Sequence, residues 1–231
     1  MLAFLILYHP PAARAGSSDE QCVILLHGLF RSALALKPMQ WFLEREGYTT
    51  VNQSYPSLLY PIDELAEMAV SAGLQHCHGL GLSRVHFVTH SLGGILVRQY
   101  AAQRDIPGLE RVVMLGPPNQ GSQVAQYYGS LELPGPVPPA ILELGLDAES
   151  VPRRLGPVRF DLGVIAGNLR LSTWLPGFPD ESSDGTVTVA EAVVPGMLDF
   201  LQMPVSHTFM IVNPLVMQQV AYFLQHGEFQ R

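Results

Sequence analysis

Apolar runs of six to eight residues alternate along the chain with longer stretches in which apolar side chains recur every third or fourth position. The runs cover Cys22 to His27, Tyr48 to Gln53, Arg84 to His90, Arg111 to Gly116, Phe160 to Ala166 and Leu198 to Val205. Most are unbroken, as strands buried on both faces require. Helical spacing fills Leu36 to Glu46, Ile62 to His78, Leu92 to Arg104 and Pro214 to His226. Ile62, Leu65, Ala66, Ala69 and Val70 draw one apolar stripe, and Pro61 suits a first-turn position that needs no backbone donor. Strands alternating with helices predict the α/β class, with a mostly parallel sheet of about six strands and helices on both faces.

Two stretches interrupt this alternation. Asn119 to Val158 is Pro-rich and modest in size, which predicts a small cap or lid insertion; Leu169 to Asp184 carries Trp174, Pro176, Phe178 and Pro179. With 231 residues and 48% hydrophobic content, the chain suits one compact domain over 16–231. A net charge of -7, from 13 basic and 20 acidic residues without a basic run, excludes nucleic acid as an expected partner. No apolar stretch approaches the roughly 20 residues of a spanning helix.

The first 15 residues read as the end of a secretory signal: an apolar Leu2 to Leu7, then Ala13-Arg14-Ala15 as an A-x-A site, with cleavage before Gly16. The alternative is an ordinary hydrophobic tail on a cytoplasmic protein. Cys22 starts the first strand and Cys77 ends a helix, and strand starts and helix ends share one edge of a parallel sheet. A Cys22–Cys77 disulfide is thus topologically permitted and suits a periplasmic or secreted protein; two unrelated thiols are the alternative. The histidines are scattered and no cysteine pair has ligand spacing, so neither metal nor cofactor is expected.

The segment Val85 to Val97 contains Thr89-His90-Ser91-Leu92-Gly93-Gly94, placing a serine between a buried strand and a helix. A strained turn there lifts the hydroxyl to the sheet edge, with the helix N-terminus favouring developing negative charge. Gly93 fills the second glycine of G-x-S-x-G and Thr89 replaces the first, so the strict pentapeptide is absent; alone, Ser91 reads equally as a helix cap. His27-Gly28-Leu29, at the end of the first strand, adds the second half of an oxyanion hole, in which the backbone amides of Leu29 and Leu92 are the candidate donors. His27 itself reads as a loop-holding residue.

For a serine on such a turn the chain order is serine, acid, histidine. Two histidines follow Ser91. His207 lies just after the last strand, whereas His226 ends the terminal helix and reads as solvated. Among the carboxylates after the fifth strand, Asp184 precedes Gly185 at a turn and is preferred to Asp180. Asp147, Asp161 and Asp199 read as surface carboxylates. Phe30, Trp174 and Phe178 are candidate substrate-binding residues. With Leu175, the latter two make an acyl-binding wall, a patch for transient membrane-surface contact, or simply a closure of the core under a long loop.

His27-Gly-Leu, Thr89-His-Ser-Leu-Gly-Gly94, Met114-Leu-Gly-Pro-Pro-Asn-Gln-Gly-Ser122, Ser183-Asp-Gly and His207 occur in the order of a known group. From about Cys22 onward the chain resembles the α/β-hydrolase superfamily, and within it bacterial lipase-like esterases related to triacylglycerol lipases and to the glycosylphosphatidylinositol inositol-deacylases. The resemblance implies a serine hydrolase acting on a small-molecule or lipid ester, with Ser91 as nucleophile, His207 as general base and Asp184 as orienting acid. An acyltransferase or thioesterase would use the same residues, and a non-catalytic binding protein would keep only the fold.

Overall fold

A computed structural model describes residues 21–131, 134–171 and 181–231. The signal-like segment 1–15 and Trp174, Leu175, Phe178 and Asp180 lie outside these residues. The described residues form six strands: β1 (Gln21–Leu26), β2 (Thr49–Gln53), β3 (Arg84–His90), β4 (Leu109–Leu115), β5 (Leu162–Gly167) and β6 (Asp199–Met203). They pair in parallel in the order β2-β1-β3-β4-β5-β6. The chain runs outward from β1 to β2 and returns to add β3 on the other side of β1. That reversal leaves the carboxyl ends of β1 and β3 side by side, with Leu26 opposite Thr89, where an open α/β sheet offers a crevice.

Burial on both faces explains the unbroken apolar runs. In β1, Cys22, Ile24 and Leu26 pack with α2 (Ile62–Gly79) and α3 (Leu92–Gln103), while Val23 and Leu25 pack with α1 (Lys37–Arg45) and α8 (Pro214–His226). The last helix is bounded as its sequence dictates. Pro214 takes the first turn, the Asn213 side chain accepts from the amides of Leu215 and Val216, and Gly227 closes the end at φ 79°. Pro61 sits one place outside α2, as its N-cap residue. Strand β6 ends before Pro204, which has no N–H for the ladder.

The insertion after β4 holds three short helices, α4 (Gln123–Gly129), α5 (Pro139–Leu142) and α6 (Val151–Arg154). A buried polar knot fastens it. Arg98 of α3 donates to the carbonyl and side-chain oxygens of Asn119 and to the carbonyls of Pro152 and Gly156. Asn119 donates in turn to the Ala192 carbonyl, and Glu191, in α7 (Val189–Ala192), accepts from the amides of Gln123 and Thr188. Burial pushes the Arg98 guanidinium down to about 10, which leaves it charged at neutral pH. Asp199, expected to be an ordinary surface carboxylate, instead accepts from the Phe229 amide and from Arg231, tying the C-terminus to β6.

A disulfide joins Cys22 to Cys77, whose Cα atoms lie 5.9 Å apart, and so ties the start of β1 to the last turn of α2. Closing a loop of that length removes about 4 kcal/mol of unfolded-chain entropy. Reduction, or the Cys22→Ala/Cys77→Ala variant, should therefore lower Tm by on the order of 10 °C. An unchanged Tm, with two free thiols verified by titration, would show the crosslink to be energetically idle.

Candidate active site

Ser91 follows β3 directly and precedes α3, with φ 52° and ψ -121°. A non-glycine residue in that region costs on the order of 1–3 kcal/mol and persists only where its surroundings impose it. The surroundings here are visible. A Cβ on Gly93 would lie 2.5 Å from the Leu26 carbonyl oxygen, so α3 starts pressed against the end of β1, an approach that glycine alone permits. A Cβ on Gly94 would lie 3.2 Å from Thr89 Oγ1 and 2.9 Å from the Met114 sulfur. The missing first glycine of the pentapeptide is thus compensated from within the helix, where Gly94 makes room for the Thr89 side chain. The Ser91 amide donates to the Leu115 carbonyl. The Leu92 amide belongs to the first turn of α3, whose donors have no intrahelical acceptor.

The loop after β1 is held by His27 and Tyr55. The His27 ring is buried and stacks on Tyr55 with 4.1 Å between centroids. Its Nδ1 donates to the Gly28 carbonyl at 2.8 Å, and its Nε2 accepts from the Tyr55 amide at 3.3 Å. The Tyr55 hydroxyl donates to the His27 carbonyl. One neutral tautomer satisfies both ring nitrogens, and burial holds the ring below the usual histidine range. His27 therefore fixes the backbone that carries Leu29. Phe30, next in the chain, has φ 57° and is 64% exposed.

His207 and Asp184 come together from the loops after β6 and β5. His207 Nδ1 donates to Asp184 Oδ2 at 2.7 Å, and the His207 amide donates to the Asp184 carbonyl at 2.9 Å. The other carboxylate oxygen accepts from the amides of Thr186 and Val187. Asp184 is thus a buried carboxylate with three donors, one of which orients the imidazole. Gly116, at φ 53° beyond β4, lies underneath: a Cβ there would sit 2.9 Å from Asp184 Oδ2 and 3.0 Å from His207 Nδ1. His90 donates through Nε2 to the His207 carbonyl at 2.9 Å, and its ring lies 4.5 Å from that of His207. Burial first, and then the neighbouring His207, push the His90 ring well below the usual range, so it is a neutral prop.

Ser91 and His207 open onto one cleft of about 750 Å³. Leu29, Phe30, Arg31 and Thr208 line it, and the insertion supplies an apolar wall of Val124, Tyr128, Pro136, Val137, Ile141 and Leu144. Phe30, a candidate substrate-binding residue, is among the residues that line the cleft. Arg31, His90, Gly116 and the insertion wall were not legible in the sequence as parts of one site. Gly116 had a signal, its place in the Met114 to Ser122 segment, whereas the wall has only a Pro-rich composition. Asp147 and Asp161 lie outside the cleft lining, and His226 is exposed at the end of α8.

No family model matches the chain, and no curated protein sequence does. Solved structures match over nearly its whole length. The mature form of the lipase BlEst2 from Bacillus licheniformis has a TM-score of 0.70 at 19% identity, over 96% of this chain and 96% of that one. The phospholipase PlaB from Legionella pneumophila gives 0.70 at 18% identity over 93% of this chain, which spans 60% of PlaB. The metagenomic carboxyl esterase MGS0156 gives 0.62 at 21% over 88% and 70%. At these identities the likeness shows the fold, and the fold is that of the α/β-hydrolases.

Two outcomes follow from the buried rings and from Gly116. His27, His86 and His90 all titrate below the ordinary value of 6.5, His86 being held at about 4 chiefly by burial. Between the folded and unfolded pKa values the unfolded chain binds more protons, so stability should fall as pH drops from 6.5 towards 4. A Tm that stays level across that window would contradict neutral burial. Gly116→Ala should force the Asp184–His207 pair apart, which erases the downfield imidazole N–H resonance expected of His207 in the proton spectrum. Persistence of that resonance would mean that the loop absorbs the methyl group.

Proposed function

We propose that the chain is a serine hydrolase of carboxylic esters that works through an acyl-enzyme on Ser91. The observation that carries this reading is the Asp184-bound His207 ring facing the same cleft as a serine held at positive φ. In this scheme His207 Nε2 takes the Ser91 proton as Oγ attacks the ester carbonyl. The carbonyl oxygen becomes an oxyanion held by the Leu29 and Leu92 amides. Collapse of the tetrahedral intermediate breaks the bond to the alcohol oxygen, which receives the proton from His207. Water, deprotonated by the same ring, then releases the carboxylic acid and restores Ser91.

Lipid-like acyl chains suit the cleft best, because its wall is almost wholly apolar. Phe30, Leu59, Leu169, Leu171, Phe209 and Leu215 are exposed apolar side chains on loops or a helix start after β1, β2, β5 and β6. They lie on the same sheet edge as the cleft and support transient contact with a lipid surface. The reading also includes export, with the mature chain starting near Gly16, and the Cys22–Cys77 bridge supports it.

Ser91→Ala should reduce kcat/KM on a chromogenic ester by at least about 10³-fold with Tm little changed. Asp184→Asn should damage activity far more than Asp180→Asn. A Ser91→Ala enzyme with more than a few per cent of wild-type rate would sink the assignment.

A further inference from the structure

A second cavity, of about 360 Å³, lies between the later turns of α3 and the segment that leads into β5. Arg98, Ala101 and Ala102 line it from the helix, and Leu155, Arg159 and Phe160 from the segment. It shares no lining residue with the cleft that holds Ser91. Because α3 starts beside Ser91 at the carboxyl edge of the sheet and Phe160 precedes β5, the cavity lies towards the opposite edge.

Two guanidinium groups border this space, and among the described residues no carboxylate does. Arg98 is buried, and both its terminal nitrogens are spent on neutral oxygens, those of Asn119, Pro152 and Gly156. Its Nε finds no acceptor among the described residues. Arg159 is exposed, and neither arginine forms an ion pair with a described carboxylate. Neutral oxygens satisfy donors without cancelling the charge, so a buried cation of this kind favours an anion close by. The walls are already fixed, because Arg98 holds the Gly156 carbonyl and the Val158 amide donates to the Pro195 carbonyl. Binding there orders little that is not ordered beforehand.

The donors left over select the anion. With the terminal nitrogens of Arg98 engaged, direct contact falls to Arg159, whose planar fork matches the two oxygens of one carboxylate. Leu155 and Phe160 add an apolar flank, and the short side chains of Ala101 and Ala102 leave room beside α3. We infer that the cavity binds a small aliphatic carboxylate, its head group on Arg159 beside the Arg98 charge and its alkyl part against Leu155 and Phe160. The inference does not depend on the ester-hydrolase reading. Since Arg98 also grips Asn119, next to the cleft-lining Pro118, the bound anion balances the charge that fastens the insertion.

Sodium hexanoate titrated into the full chain at constant ionic strength, followed by amide chemical shifts and Tm, tests this. Saturable shifts are expected at Ala101, Ala102, Arg159 and Phe160, with Tm rising as the site fills. Arg159→Gln, at an exposed position, should fold normally and weaken binding at those amides by about tenfold, and Arg159→Lys should retain more of it. Shifts confined to cleft residues such as Val124 and Tyr128 would place the hexanoate in the Ser91 cleft and overturn the inference. So would no shift at the cavity amides up to about 50 mM, beyond the range of a millimolar site, or shifts that Arg159→Gln leaves unchanged. Hexanol moving the same amides equally would make the cavity an apolar site, and inorganic phosphate binding as tightly as hexanoate would make it a site for any anion. Either result also overturns the carboxylate assignment. Ester hydrolysis stands or falls separately, on Ser91.

Discussion

The site depends on one backbone constraint: Ser91 is held at positive φ where β3 turns into α3. A residue in that conformation returns to ordinary backbone unless its neighbours forbid it. Here the end of β1 forbids it, because the Leu26 carbonyl occupies the space that a side chain at position 93 would need. The parallel sheet supplies the opposing force. Leu26 and Thr89 are in register, and both strands are buried on two faces, so neither end can retreat without disturbing the core.

A second consequence concerns protons. Three imidazoles, His27, His90 and His207, crowd the carboxyl ends of β1, β3 and β6, yet the geometry gives them different work. His27 has both ring nitrogens engaged by backbone, and His90 spends Nε2 on the His207 carbonyl. Only His207 is bound to a carboxylate, and it uses one nitrogen to do so, leaving the other for the cleft. Burial keeps His27 and His90 neutral, so neither ring sets a positive charge beside the Asp184–His207 pair.

Much of this was legible in the sequence because it depends on local rules. The apolar runs predict all six strands, and Asn213-Pro214 with Gly227 bounds the last helix where the structure has it. The chain order of Ser91, Asp184 and His207, together with Asp184-Gly185, points to residues that the fold brings to one sheet edge. Features made by contacts between distant segments were hidden. Arg98 lies within a helical stretch and gives no sign of the four backbone and side-chain oxygens it will meet. Asp199 looks like any exposed carboxylate until the C-terminus folds back on it. Gly94 reads as a repeat of Gly93, and its separate task of receiving Thr89 emerges only when α3 is packed on β3 and β4. The apolar cleft wall comes from a Pro-rich stretch whose helices span four to seven residues, too short for a periodic signal.

The central claim is that the strained serine is a nucleophile and not a helix cap. Treating the folded protein with a fluorophosphonate and measuring intact mass and modified peptide tests this without any choice of substrate. The account predicts stoichiometric addition at Ser91, abolished in Ser91→Ala and strongly slowed in His207→Ala. An unmodified protein, or an adduct on another residue with Ser91 untouched, would contradict it.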